Sequence, residues 1–246
     1  MTPEIPFRRA AIEPVECIKG GLDTIRNQYW LFVGMTFVGI FIGSAVPIVL
    51  LGPMMCGLNL AFFKARRGEP VEFGTLFKGF DFFGQSVIAT LLHTVPIMLI
   101  VIPAYILFYV FVFVSMAAAG SGGEPNPGAL FGIMAMFGLF WLVVAVVIIV
   151  ISIGFTFVYP LIVDRKLQAL DAVKLSFRAA AGNFWRLLGL MLLTSLMSLV
   201  GVLACYAGAF FVMPIGYAAI AKAYEQVFGL NDGTEFSNLP PPENNC

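Results

Sequence analysis

One histidine stands in the apolar interior of this sequence, and chemistry is sought there first. His93 lies in a stretch, residues 82–123, that contains no Asp, Glu, Lys or Arg. An ionisable group held in hydrocarbon is costly, which makes it a candidate site. On a helix Gln85 lies two turns upstream, about 12 Å along the axis, while Thr90 and Thr94 neighbour the histidine. Pro96 frees a backbone carbonyl one turn earlier. Gln85, Thr90, His93 and Thr94 thus form a candidate intramembrane polar patch, suited to a path for a small neutral or amphiphilic solute. The plainer reading is a neutral histidine bonded to a neighbouring helix, because one imidazole without a carboxylate partner makes a poor proton relay.

Catalysis finds little else to work with. An activated nucleophile needs a His, Lys or carboxylate beside a Ser or Cys, and the apolar runs offer His93 alone. Asp164 and Asp171 are flanked by basic residues, where local salt bridging is the plainer role. There is no P-loop, dinucleotide-binding or zinc-protease motif. Cys17, Cys56, Cys205 and Cys246 lack ligand spacing, so no metal site or disulfide framework is expected. The sequence predicts a protein that is not an enzyme and holds no cofactor. Its formal net charge of zero gives no reason to expect nucleic acid.

Cations offer a second chemistry. Lys64, Arg66 and Arg67 follow one apolar run, and Arg165 and Lys166 follow another, so both groups are candidates for anionic lipid headgroups. They serve equally well as topology determinants. Thr194, Ser195 and Ser198 form a polar group whose hydroxyls are expected to bond their own helix or a neighbour. Gly39 and Gly43 form a GxxxG pair, expected to pack internally against the next span, with a dimer contact as the alternative.

The elements that position these residues are membrane spans. The chain is 60% hydrophobic, 11% charged and contains 25 Phe, with a mean hydropathy of +0.94, far from the composition of soluble domains. Residues 27–63, 82–123, 125–163 and 187–221 are free of Asp, Glu, Lys and Arg, and each exceeds the roughly 20 residues a spanning helix needs. All 14 Lys and Arg fall within Arg8–Arg26, Lys64–Lys78, Arg165–Arg186 and at Lys222. The positive-inside rule makes those regions cytoplasmic, with both termini inside and spans in pairs between them. The first 28 residues hold no apolar run, so no cleavable signal peptide is expected.

Spans are expected at 29–45, 47–64, 86–118, 129–163, 184–203 and 207–223. The stretch Gly120–Gly128 has a Glu and no Lys or Arg, which favours two long helices with an external loop over four short ones. Residues 229–246 read as a disordered cytoplasmic tail.

Before three of these runs a pattern recurs. Apolar residues fall at i, i+3, i+7 and i+10 in Val15, Ile18, Leu22, Ile25; in Phe73, Leu76, Phe80, Phe83; and in Leu170, Val173, Phe177, Ala180. That spacing lays one stripe along a helix. A small residue (Gly21, Gly79, Ser176) precedes the third position, and an amide (Gln28, Gln85, Asn183) precedes the apolar run. Charges such as Lys174 and Arg178 sit on an adjoining arc, as on a helix lying in a membrane interface. Amphipathic helices are therefore expected at about 14–27, 70–84 and 168–182.

The run GPMMCGLNLAFFKARRGEPVEFGTLFKGFDFFGQSVIATLL and the later YPLIVDRKLQALDAVKLSFRAAAGNFWRLLGL resemble the bacterial multi-pass membrane domain fused to some glycerophosphodiester phosphodiesterases, and related membrane families of unknown function. The resemblance covers residues 50 to 200, and residues 105–140 expand its pattern. The phosphodiesterase barrel is absent, so no catalytic residue carries over.

The expectation is an all-α polytopic membrane protein of six transmembrane helices, in three units of an interfacial helix plus a helical pair, as one domain over residues 1–228. The expected role is lipid-interacting, membrane-organising or scaffolding at the inner membrane, with Leu170, Val173, Lys174, Phe177 and Arg178 as the clearest interfacial face. Membrane lipids are the expected partners, with a second copy or another protein also open to it. The alternative is a transporter or channel using the His93 patch.

Overall fold

The structure is a computed structural model and describes residues 5–119, 127–204 and 208–230. The external loop and the turn expected from the sequence at 120–126 and 205–207, and the tail expected beyond residue 230, lie outside the described residues. All regular structure among the described residues is helical.

The helices are α1 (Pro14–Ile25), α2 (Tyr29–Ala45), α3 (Pro47–Arg66), a 3₁₀ helix (Phe73–Phe82), α4 (Phe83–Ala119), α5 (Pro127–Phe155), α6 (Val158–Arg165), α7 (Ala169–Gly182), α8 (Phe184–Ala204) and α9 (Gly208–Phe228). Prolines open α1 and α3, where the missing N–H costs nothing. Five stretches are long and apolar enough to cross a membrane: Pro14–Ala45, Pro47–Arg66, Phe73–Ser115, Met134–Arg165 and Phe184–Leu203. This is a membrane protein by the length and composition of its helices. α9 falls outside that set, since Lys222 and Glu225 lower the hydropathy of its last turns.

One expected span is broken. The run 129–163 reads as a single helix, yet α5 ends at Phe155 and α6 begins at Val158. Pro160 explains the break, because its ring clashes with the carbonyl four residues back, at Thr156. Ser176 occupies the gap, donating to Gly154 O at 2.6 Å and accepting from Phe157 N at 3.2 Å. Two otherwise orphaned backbone groups are thereby satisfied.

The described residues form two compact bodies, residues 5–91 with 153–230, and residues 92–152. In the second, Ala104 and Val144 are buried, and aromatic rings hold the pair together: Tyr105 meets Trp141 at 4.9 Å and Phe108 meets Phe137 at 4.4 Å. In the first, the core draws on α1, α2, α3, α6, α7, α8 and α9, with Phe32 stacked on Phe62 at 4.8 Å and Tyr224 against Phe63 at 5.4 Å.

Three close crossings organise the first body. α1 packs on α9, the Phe73–Phe82 helix on α3, and α7 on α6. At each crossing the small residue makes the approach. A Cβ on Gly21 would come within 2.8 Å of the Ala218 and Ala219 backbone, and one on Gly79 would overlap the backbone of Pro53 and Gly57. Ser176, wholly buried, makes the bonds to Gly154 and Phe157 already described. Gly39 and Gly43 pack internally, the first towards Leu58 and Leu76, the second towards Leu51.

Candidate functional site

The basic ends of α3, α6 and α9 meet in a charge network. Asp164, in the last turn of α6, has a fully buried side chain. It lies 3.2 Å from Arg67 Nη2 and 3.2 Å from Arg165 Nε, and accepts a hydrogen bond from the Tyr224 hydroxyl at 2.8 Å. Arg165 also donates to the carbonyls of Phe228 and Gly229 at 3.0 and 3.2 Å, capping the end of α9. Beside this cluster Arg66 grips Glu225 with two nitrogens, at 2.6 and 2.9 Å, and Lys222 adds a third contact at 3.1 Å. Burial alone would raise the Glu225 carboxyl, but the bonds from Arg66 and Lys222 hold it below its usual range.

Three of the five cations read as lipid-headgroup candidates, Arg66, Arg67 and Arg165, thus have carboxylates inside the protein. The sequence hides this because Arg67 and Asp164 are 97 residues apart and Arg66 and Glu225 are 159 apart. Lys64 is half-buried and Lys166 is exposed, in a left-handed conformation that ends α6. A shallow cleft between α1, α3 and α9 is lined by Thr24, Phe62, Phe63, Arg66, Ala218, Ala221 and Lys222, and both its cations already share Glu225.

The proposed polar patch divides. Gln85 Oε1 accepts from Ala169 N at 2.8 Å and so fixes the start of α7. Thr90 is buried, donates to Ser86 O at 2.8 Å, and shares a bond with the Tyr159 hydroxyl at 3.0 Å. Both have structural partners in the first body, while His93 and Thr94, half-buried, belong to the second. Thr194 bonds the carbonyls of Leu190 and Met191 in its own helix.

The amphipathic elements present two faces rather than one. The first and third stripe positions are exposed on all three: Val15 and Leu22, Phe73 and Phe80, Leu170 and Phe177. The inward face carries Ile25, Leu76 and Ala180 together with the small residues, all buried. Val173 is half-buried, and Lys174 and Arg178 are exposed. Phe83 is the departure from the pattern, being exposed at the fourth position. Trp30 and Trp185, at the starts of α2 and α8, are 73% and 79% exposed. Tryptophan is enriched where membrane spans meet the headgroup layer.

A family whose model is described as Protein of unknown function (DUF975) matches residues 22–222. The chain belongs to that family. The DUF975 match begins at Leu22, late in α1, and ends at Lys222 in α9, so it takes in α2 to α8 and the crossings at Gly79 and Ser176, while Gly21 lies just before it. No curated protein and no solved structure matches the chain. The comparisons give no link to the membrane domain of glycerophosphodiester phosphodiesterases, and the resemblance stands only as far as a membrane family of unknown function.

The pairing of Asp164 with neighbouring Arg165 matches the local salt bridge expected from the sequence; two features of this DUF975 chain escape a reading by sequence alone, the reach of Asp164 to Arg67 and Tyr224 and the anchoring role of the amides. Asn183, buried, accepts from Ala11 N at 3.1 Å and donates to Arg8 O at 3.1 Å, tying down the segment that enters α1. Gln85 does the same for α7, while Gln28 is exposed.

Proposed function

We propose that this chain is a non-enzymatic inner-membrane protein that acts through its interfacial helices as a lipid-interacting, membrane-organising or scaffolding element. The observation that carries the reading is the pair of exposed apolar positions on each of α1, the Phe73–Phe82 helix and α7, beside an inward face locked by a small residue. Such a helix lies between protein and lipid, with apolar side chains entering the headgroup boundary. Membrane lipids are its first partners, and a second copy or another protein would dock on the same side.

The reading takes α9 as a sixth span and the chain as three units. Its support is the order of the crossings: the helix that starts each unit packs on the second helix of the unit before, and α1 closes the series on α9. The reading takes this end and both termini as cytoplasmic, supported by the basic residues gathered there and the positive-inside rule.

Replacing both Leu170 and Phe177 by Asp tests it. Leu170 is exposed, whereas the Phe177 ring also lies against Gly154 and Phe155, so the stability lost in detergent is measured first and subtracted. The extra stability gained on transfer to lipid is expected to fall by roughly 1 to 2 kcal/mol per site, read as the unfolding midpoint in micelles against bicelles. An unchanged lipid-dependent gain rules the reading out.

A further inference from the structure

Four arginines gather where α7 turns into α8. The N-terminal segment crosses this junction: Arg8 donates its backbone N–H to Val227 O at 2.9 Å and its carbonyl accepts from Asn183. Arg9 lays its stem on Gly182, where a Cβ would stand 3.3 Å from Arg9 Cγ. Arg186 uses one nitrogen to hold Ile12 O at 3.1 Å. Arg178 precedes Gly182 by one turn and so lies on the face of α7 that Arg9 covers.

All four are exposed, and among the described residues no carboxylate pairs with any of them. Arg66, Arg67 and Arg165 are the contrast, each matched by Glu225 or Asp164. Trp185 sets the depth at the headgroup layer. Guanidinium forks match phosphate oxygens two at a time, and unpaired cations at headgroup depth meet lipid phosphates first.

We propose that Arg8, Arg9, Arg178 and Arg186 form a binding site for the phosphate of an anionic phospholipid headgroup. The site rests on the interfacial reading above and names its ligand. A zwitterionic headgroup brings its own ammonium, which four arginines repel, so the site discriminates by net headgroup charge.

Native mass spectrometry of the full chain, titrated with phosphatidylglycerol and with phosphatidylcholine, tests the assignment. The wild type is expected to hold one phosphatidylglycerol roughly tenfold tighter than phosphatidylcholine. Arg9→Gln with Arg178→Gln lowers the anionic affinity by about tenfold, which removes the preference, and leaves phosphatidylcholine unchanged. Lys64→Gln with Lys166→Gln keeps the preference. Cys17 is fully buried with its thiol donating to Gln226 Oε1 at 3.0 Å. Its slow alkylation, in a background with Cys205 and Cys246 replaced by Ser, shows that the bundle is intact. A preference that survives Arg9→Gln with Arg178→Gln overturns the site and leaves the interfacial reading standing. Complete displacement of the lipid by excess inorganic phosphate overturns the lipid assignment in favour of a soluble phosphate ligand. A wild type with no anionic preference overturns the site, while the Leu170 and Phe177 variant judges the broader reading separately.

Discussion

Gly79→Val is expected to abolish the folded bundle, at a cost of upwards of roughly 3 kcal/mol. A Cβ at Gly79 would overlap the backbone of Pro53 and Gly57, and one at Gly57 would overlap the backbone of Leu76, so the Phe73–Phe82 helix and α3 touch main chain to main chain. Backbone cannot rotate aside as a flexible side chain can, and the helix must lift from α3 to make room. Lifting would expose Leu76, now wholly buried. Gly74, in the same helix, has nothing within 4 Å of a Cβ, so Gly74→Ala is expected to change stability by less than about 0.5 kcal/mol. Thermal unfolding of both variants in detergent checks the pair. A stable Gly79→Val protein would mean that this crossing is wrong.

The second large effect belongs to Asp164. Its side chain and that of Arg165 are 0% and 6% exposed, so removing the carboxylate strands a buried guanidinium. Asp164→Asn is expected to cost about 3 to 5 kcal/mol, because an uncompensated buried charge is far dearer than a lost bond. Tyr224→Phe removes one bond to the same carboxylate and leaves both cations paired, for roughly 1.5 kcal/mol. Unfolding in mixed micelles reads both, and the ratio between them is the informative quantity. Equal losses would show that Asp164 acts as an ordinary hydrogen-bond acceptor, with no part in neutralising Arg67 and Arg165.

Much of the scaffold was legible because it depends on local spacing. The stripes and the apolar runs place the helices, and α2 runs from Tyr29 to Ala45, the bounds expected from the sequence. The small residues Gly21, Gly79 and Ser176 stood out by position, and each marks a close crossing. What the stripe could not say is which of its positions face inward, because lipid and protein core are both apolar and reward the same side chains. The gap after Phe155 was readable from Pro160, whose consequence falls four residues upstream at Thr156.

The site was harder for a different reason. Whether a cation faces lipid or a carboxylate depends on partners far along the chain, as Arg66 and Glu225 show. Arg9, Arg178 and Arg186 look no different from Arg67 in sequence. Only the path of the N-terminal segment over the junction of α7 and α8 brings the first group together, with no carboxylate paired to it among the described residues. Gln85 drew notice beside His93, yet its bond runs to the start of α7.

Spin labels on the exposed stripe positions test the central claim most directly. Nitroxides at 15, 22, 73, 80, 170 and 177, with the chain reconstituted in bilayers, are read by collision with oxygen and with a water-soluble nickel chelate. The account predicts that oxygen, which concentrates in lipid, dominates at all six sites at similar shallow depth, while a label at the exposed Lys174 favours the chelate. Dominance of the chelate at 170 and 177 would put α7 in water and contradict the account.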